Sequence, residues 1–197
     1  VTQAGAVGRV LPTVADDPVA LRRTFRQALQ ADVVISSGGV SVGEFDYVTQ
    51  VLAELGAEPR FSKVAMKPGK PVAFGRVNDP AGGPGAAFIG LPGNPVSSFV
   101  TFVLLVRPFV LRAQGVVDCL PRAIPLTAAF DWPRPDRRRE FLRARIAEDG
   151  RVALFPNQGP GVLTSTVWAD GVIDNPPEQA IVAGDRVSFI PYSELLS

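Results

Sequence analysis

The chain has 197 residues, 46% hydrophobic and 20% charged, a composition that suits one large or two small cores and argues for a globular protein. Twenty basic and nineteen acidic residues leave a net charge near +1, so no global field draws nucleic acid or an anionic membrane, and any anion site has to be local. The absence of histidine removes Ser-His-Asp and Cys-His catalysis, and the single cysteine, Cys119, excludes an internal disulfide and a cysteine metal cluster.

In chain order, residues 6–11 read as a short strand. Asp16-Asp17-Pro18 then supplies an N-cap and a first-turn proline for a helix of about 13 residues, with Leu21, Phe25, Ala28 and Leu29 on one face. The β-branched run DVVIS (32–36) predicts a buried strand that enters the loop SSGGVSVGEF (36–45). Val48, Val51, Leu52 and Leu55 mark a second helix stopped by Gly56. Three strand-like segments follow between residues 58 and 91, divided by Lys67-Pro68-Gly69-Lys70 and by a Pro/Gly-rich stretch at 78–85 that predicts a surface hairpin. After Pro92-Gly93-Asn94-Pro95, residues 96–114 form an apolar helix ended by Gly115. Together these elements predict an α/β domain with a largely parallel sheet.

Beyond residue 120, short runs of β-formers at 124–130, 140–147, 151–155, 164–168 and 186–191 alternate with turn signals and predict a small all-β barrel or sandwich. The expected domains are 1–117 and 118–197. Arg107 and Pro108 interrupt the apolar run at 96–110, and no signal-peptide pattern opens the chain, so a soluble cytoplasmic protein is expected.

Four groups of residues carry candidate chemistry. Ser36, Ser37, Gly38 and Gly39 directly follow a buried strand, where open α/β sheets bind ligands and where paired glycines let a phosphate approach the backbone; a purely structural turn fits the same residues. Glu44 and Asp46 follow. Asp46 suits Mg²⁺, a ribose hydroxyl or the N-cap of the helix at Tyr47. All three lysines, Lys63, Lys67 and Lys70, lie in one eight-residue window, although the other seventeen basic residues are arginine. Their mutual repulsion would be removed by an anionic ligand, and Pro68-Gly69 gives a turn that lets Lys67 and Lys70 converge; a solvated turn is the alternative. Pro92-Gly93-Asn94-Pro95 is a rigid loop opening a helix, suited to a small oxyanion or to a plain strand-to-helix turn. In the tail, Arg137, Arg138 and Arg139 precede Arg143 and Arg145, which share one strand face and fit either an exposed polar surface or an oxyanion contact.

Three segments, SSGGVSVGEFDYV (36–48), KVAMKPGKPVAFG (63–75) and GLPGNPVSSFVTF (90–102), closely resemble the molybdopterin molybdenumtransferase family, the MoeA and gephyrin E-domain group, and the β-rich tail is similar to that family's C-terminal domain. The resemblance implies a MoaB/MogA-like three-layer α/β domain, lacking its first strand and helix, followed by a β-barrel. It also implies insertion of molybdate into adenylylated molybdopterin with Mg²⁺-assisted release of AMP. On the same basis Asp16 and Asp46 are the active-site carboxylates and metal ligands, and Lys63 and Lys67 lie near nucleotide and oxyanion. Ser36, Ser37, Gly38, Gly39, Glu44, Lys70, Gly93, Asn94 and Ser97 line the cofactor site; Pro92, Pro95 and Arg143 frame the molybdate pocket. The resemblance further implies a homodimer in the full-length protein, an upstream adenylyltransferase as a partner, and a fragment that is inactive alone. The adenylyltransferase step, which uses the same SSGG loop, is one alternative. A gephyrin-like scaffold binding a peptide through Phe130, Trp132 and Trp168 is another.

Overall fold

The structure is a computed structural model and describes residues 1–39, 47–78 and 85–196. Two compact units emerge. One comprises Gly8–Val64 and Gly69–Asn94; the other comprises Val1–Val7, Ala65–Pro68 and Pro95–Ser197.

In the first unit Asp17 caps α1 (Pro18–Ala28) by accepting from the Ala20 amide at 2.7 Å, and Pro18 takes the first turn, where no intrahelical N–H bond is lost. Leu21 and Phe25 turn inward from α1, and Val48, Val51 and Leu52 from α2 (Tyr47–Glu54) join them around Val34, Val77 and Phe88 of the sheet. The Phe25 and Phe88 rings meet edge to face at 5.8 Å. The sheet contains β1 (Val33–Ser37), β2 (Ala57–Phe61), β4 (Ala73–Val77) and β5 (Ala86–Leu91), with β3 (Met66–Lys67) belonging to the other unit. Its order is β1-β5-β4-β2.

Among the described residues of this sheet, only β1 and β5 pair in parallel; β4 runs antiparallel to both β5 and β2. The expected largely parallel sheet is therefore a mixed one. Its physical reason is connection length: adjacent strands joined by short segments return antiparallel, and only a long crossover restores the parallel sense. Val77 lies opposite Ala86, as a hairpin requires, although residues 79–84 lie outside the described residues. No strand forms at 6–11, where Val7 and Val10 are almost wholly exposed and no neighbouring strand buries them.

The long C-terminal segment of the second unit begins with α3 (Pro95–Thr101), which runs through a π-helical stretch at Phe102–Val106 into α4 (Arg107–Ala113). The resulting 19-residue helix, Pro95–Ala113, has mean hydropathy 1.6 and is long and apolar enough to match a membrane span, despite Arg107 and Pro108. It is also a core helix: Val96, Val100, Val103, Val106 and Val110 form one buried stripe, while Leu105 faces outward.

Five further strands follow: β6 (Ile124–Thr127), β7 (Arg139–Ile146), β8 (Val152–Leu154), β9 (Gly171–Asn175) and β10 (Arg186–Pro191). The order β3-β7-β9-β10-β6, with β8 on β7, is closed by a bridge between Ala128 and Val152. That bridge makes it a barrel, filled by Leu142, Ala144, Ile173, Val187 and Phe189. The expected strand at 164–168 is instead the short helix α5 (Thr164–Trp168), which buries Ser165 and packs the Trp168 ring against Phe155. β9 was not expected, because Gly171, Asp174 and Asn175 read as turn residues. The chain ends in α6 (Tyr192–Leu196).

Candidate active site

In the α/β unit, the parallel pairing of β1 with β5 places two loops side by side at the carboxyl ends of the strands. Ser37 lies opposite Leu91, and the Gly38 amide donates to the Leu91 carbonyl at 3.0 Å. A Cβ on Gly93 would stand 3.7 Å from the Gly38 Cα, so the SSGG loop and the Pro92-Gly93-Asn94 turn are neighbours. Gly39, with φ 69°, occupies a left-handed conformation, and a Cβ there would lie 2.6 Å from the Val48 side chain; two separate constraints require glycine.

A cavity of about 940 Å³ opens beside β1, and Asp16, Ser36, Ser37, Gly38 and Gly39 all line it. The Ser36 hydroxyl is buried without a hydrogen-bond partner in the protein, which leaves its donor unsatisfied. Asp17 holds the helix cap, leaving the exposed Asp16 carboxylate unused by the α1 terminus. Lys63 and Lys70 are exposed and do not line this cavity; their segment is held by the backbone, with the Val64 and Val72 amides both donating to the Lys70 carbonyl. Glu44 and Asp46 lie outside the described residues.

The barrel unit carries a second constellation. Arg143 was expected either on an exposed strand face or at an oxyanion. It is only 1% exposed. Its Nε donates to Ser165 Oγ at 3.1 Å, and its terminal nitrogens to the Phe141 carbonyl at 3.4 Å and the Gly159 carbonyl at 3.2 Å. Every one of those acceptors is neutral, and among the described residues no carboxylate forms an ion pair with it. Three of the five N–H donors of a guanidinium are thereby used. Burial pushes the Arg143 pKa down to about 10, opposed by the nearby Tyr192. Burial likewise pushes Tyr192 up to about 12, and its hydroxyl has no hydrogen-bond partner in the protein. The Tyr192 ring meets Phe99 of α3 edge to face at 5.5 Å.

The loop after β8 ties Arg143 to the start of α3. Gly159 accepts from the guanidinium, and the next carbonyl, Pro160, accepts from the Val96 amide at 3.2 Å. Pro95 and the buried Ser97 therefore stand beside the arginine's own support. The helix start is a narrower anion site than the sequence implies, because Pro95 has no N–H and that of Val96 is already engaged.

Lys67 corrects another expectation. Its charge needs no external anion for compensation, since Nζ lies 3.2 Å from Glu140 Oε1 and 3.3 Å from Asp136 Oδ2. Side chains alternate along β7, so Glu140 points to the face of Leu142 and Ala144 while Arg143 points to the other. Lys67 and Arg143 are accordingly served by opposite faces of one strand. Three other tail arginines are also committed: Arg138 pairs with Asp136, Arg139 with Asp174, and the Arg145 guanidinium lies 4.6 Å over the Trp168 ring. The Arg138 guanidinium, with a smaller contribution from Lys67, holds the Asp136 carboxyl well below the usual carboxylate range. Asp136, Glu140, Ser165 and Gly159 were missed because each acquires its role from a partner at least 16 residues away, or from a strand or helix that the local pattern does not reveal.

An α/β unit with paired Ser/Gly and Pro-Gly-Asn-Pro loops beside a cavity, joined in sequence to a small barrel holding a buried arginine, defines the class of protein. Residues 1–112 match the family profile "Probable molybdopterin binding domain", and residues 125–192 match "MoeA C-terminal region (domain IV)". The chain belongs to the molybdopterin-binding domain family. It is similar to the molybdopterin molybdenumtransferase of Haemophilus influenzae, 38% identical across 85% of this chain and 41% of that protein, and to molybdopterin molybdenumtransferase 2 of Mycobacterium tuberculosis, 35% identical across 93% and 45%. The chain thus spans less than half the length of these relatives. Among solved structures, a MoeA protein from Pyrococcus horikoshii superposes with a TM-score of 0.71 at 30% identity, covering 90% of this chain and 41% of that one. A molybdenum cofactor biosynthesis protein from Pyrococcus furiosus shares the fold, with a TM-score of 0.69 at 20% identity over 91% and 56%.

Proposed function

We propose that this chain supplies the molybdopterin-binding and tail domains of a molybdopterin molybdenumtransferase, which inserts molybdate into adenylylated molybdopterin and releases AMP. The observation that carries the reading is the buried Arg143 guanidinium, held by neutral acceptors and linked through Gly159-Pro160 to the start of α3. A buried cation without a carboxylate is costly unless an anion joins it, and a doubly charged tetrahedral oxyanion with short oxygen-to-oxygen spans matches the planar fork.

In this reading the SSGG loop and the Ser36 hydroxyl hold a phosphate of the nucleotide-bearing substrate, with Gly38 and Gly39 allowing close approach. Ser165 orients Arg143 toward molybdate, while Pro95 and Ser97 border the same seat. Mg²⁺, when bound, would neutralise the pyrophosphate charge and make AMP a better leaving group. Such an ion is usually held by one or two carboxylates together with substrate phosphates, and Asp16, on the cavity that holds Ser36 and Ser37, fits that role, with Asp46 as the second ligand. In the same reading Asp16 could instead orient a water for attack on the pyrophosphate. By the family resemblance Lys63, Lys67, Lys70 and Glu44 serve the same anionic substrate, Lys67 through the side of its ammonium that Glu140 and Asp136 leave open, although Lys63 and Lys70 do not line the cavity beside β1. The full-length protein acts in the cytoplasm as a homodimer, downstream of an adenylyltransferase.

The peptide-scaffold reading loses its aromatic support, because Phe130 and Trp132 pack against the barrel core and Trp168 is engaged by Phe155 and Arg145. Supplying the full-length protein with adenylylated molybdopterin and molybdate tests the proposal by AMP quantification. Molybdate-dependent AMP release is expected, with none from the isolated 197-residue chain. Production of adenylylated molybdopterin from ATP instead would replace this reading with the adenylyltransferase.

A further inference from the structure

We propose that Glu140 is a positioning residue for Lys67, fixing the ammonium on the edge of the barrel so that its remaining N–H is aimed at an anionic oxygen of the substrate. This rests on the reading above that Lys67 faces that substrate.

The geometry is specific. Lys67 sits in the two-residue strand β3, directly opposite Glu140 in the parallel register with β7. Glu140 is wholly buried, yet it lies on the barrel face otherwise occupied by Leu142 and Ala144. A carboxylate in such a place is retained only if its oxygens are satisfied. Oε2 accepts from the Trp132 indole at 2.8 Å and from the Asp136 amide at 3.1 Å, so two fixed donors pin the carboxylate. Oε1 is turned to Lys67 at 3.2 Å. Asp136 supplies the second contact at 3.3 Å and is itself clamped by the Arg138 fork at 2.9 and 2.8 Å.

An ammonium has three N–H donors, and two are directed inward by these carboxylates. The Lys67 side chain is nevertheless 43% exposed, so the third direction is open. Lysine is ordinarily a flexible point charge that loses rotamer entropy when it binds a ligand. Here that ordering is done in the free protein, which is the condition for an efficient electrostatic contact. Two cations face two carboxylates, so the cluster is neutral before substrate arrives and the lysine is held by direction more than by excess charge.

A double-mutant cycle on kcat/KM for adenylylated molybdopterin, in the full-length protein, tests the assignment with Lys67→Ala, Glu140→Gln and the double variant. Gln keeps an acceptor for Trp132 and Asp136 and removes the charge facing Lys67. Losses of about 100-fold for Lys67→Ala and about 10-fold for Glu140→Gln are expected, with the double variant within about twofold of Lys67→Ala alone. A purely structural Glu140 would give multiplying losses, or none, and either outcome overturns the proposal. An unaffected Lys67→Ala would overturn it differently, by removing the role of the lysine itself. If Glu140→Gln does not fold, the more exposed Asp136→Asn takes its place in the cycle, with the same non-additivity expected and additivity again refuting it.

Discussion

Replacing Arg143 by methionine separates its two possible reasons for being buried. Burial lowers its pKa from 12.5 to about 10, which corresponds to a penalty of about 3 kcal/mol on the charged form. Its three hydrogen bonds return about 1 kcal/mol each, so the two contributions nearly cancel. Methionine preserves most of the packing volume, and the net change in unfolding free energy is therefore expected within about 2 kcal/mol of zero. Urea unfolding of the isolated chain measures this, and molybdate-dependent AMP release by the full-length variant measures function. Near-unchanged stability with activity reduced about 100-fold or more is the expected pair of results. A loss beyond about 4 kcal/mol would identify Arg143 as a structural strut and refute the argument that its unpaired charge is kept for a ligand.

The adjacent aspartates should divide their roles cleanly. Asp17→Ala removes the α1 cap and should cost about 1 kcal/mol in urea unfolding without abolishing AMP release, whereas Asp16→Ala should leave stability unchanged and lower AMP release, most visibly at limiting Mg²⁺. The Asp136 carboxyl has a folded-state pKa held well below its ordinary value of 3.8, so its contribution to stability is present above about pH 4 and is lost as the pH falls through the lower folded value. Acid titration of Asp136→Asn should accordingly show a shallower stability loss below pH 4 than the parent. At the other extreme, Tyr192 titrates at about 12 in the folded chain against 10.0 ordinarily, so its contribution is complete below pH 10 and disappears between pH 10 and 12; Tyr192→Phe should remove that alkaline component in an unfolding-versus-pH series.

Local rules made much of the α/β unit legible. Asp17-Pro18 announced α1, the β-branched run announced β1, and Gly56 with φ 81° ended α2 as its position implied. Tertiary context decided the rest. The segment Thr164–Trp168 is rich in strand formers yet folds as a helix, burying Ser165 at the Arg143 guanidinium and placing Trp168 against Phe155 and Arg145. Residues 6–11 have the pattern of a strand but no described partner to complete a ladder. Side-chain alternation correctly put Arg143 and Arg145 on one face of β7; only the fold could show that α5 and the Asn157-to-Gly161 loop bury the first of them. The clustered lysines pointed to chemistry through repulsion, while the structure answers with Glu140 and Asp136, roughly seventy residues away in sequence.

A crystal of the full-length protein soaked in molybdate, with anomalous scattering used to locate the metal, tests the central claim most directly. A peak within hydrogen-bonding reach of the Arg143 guanidinium and bordered by Pro95 and Ser97 is the predicted result. A peak confined to Arg137–Arg139 on the barrel exterior, with Arg143 still bound only to Ser165, Phe141 and Gly159, would contradict it.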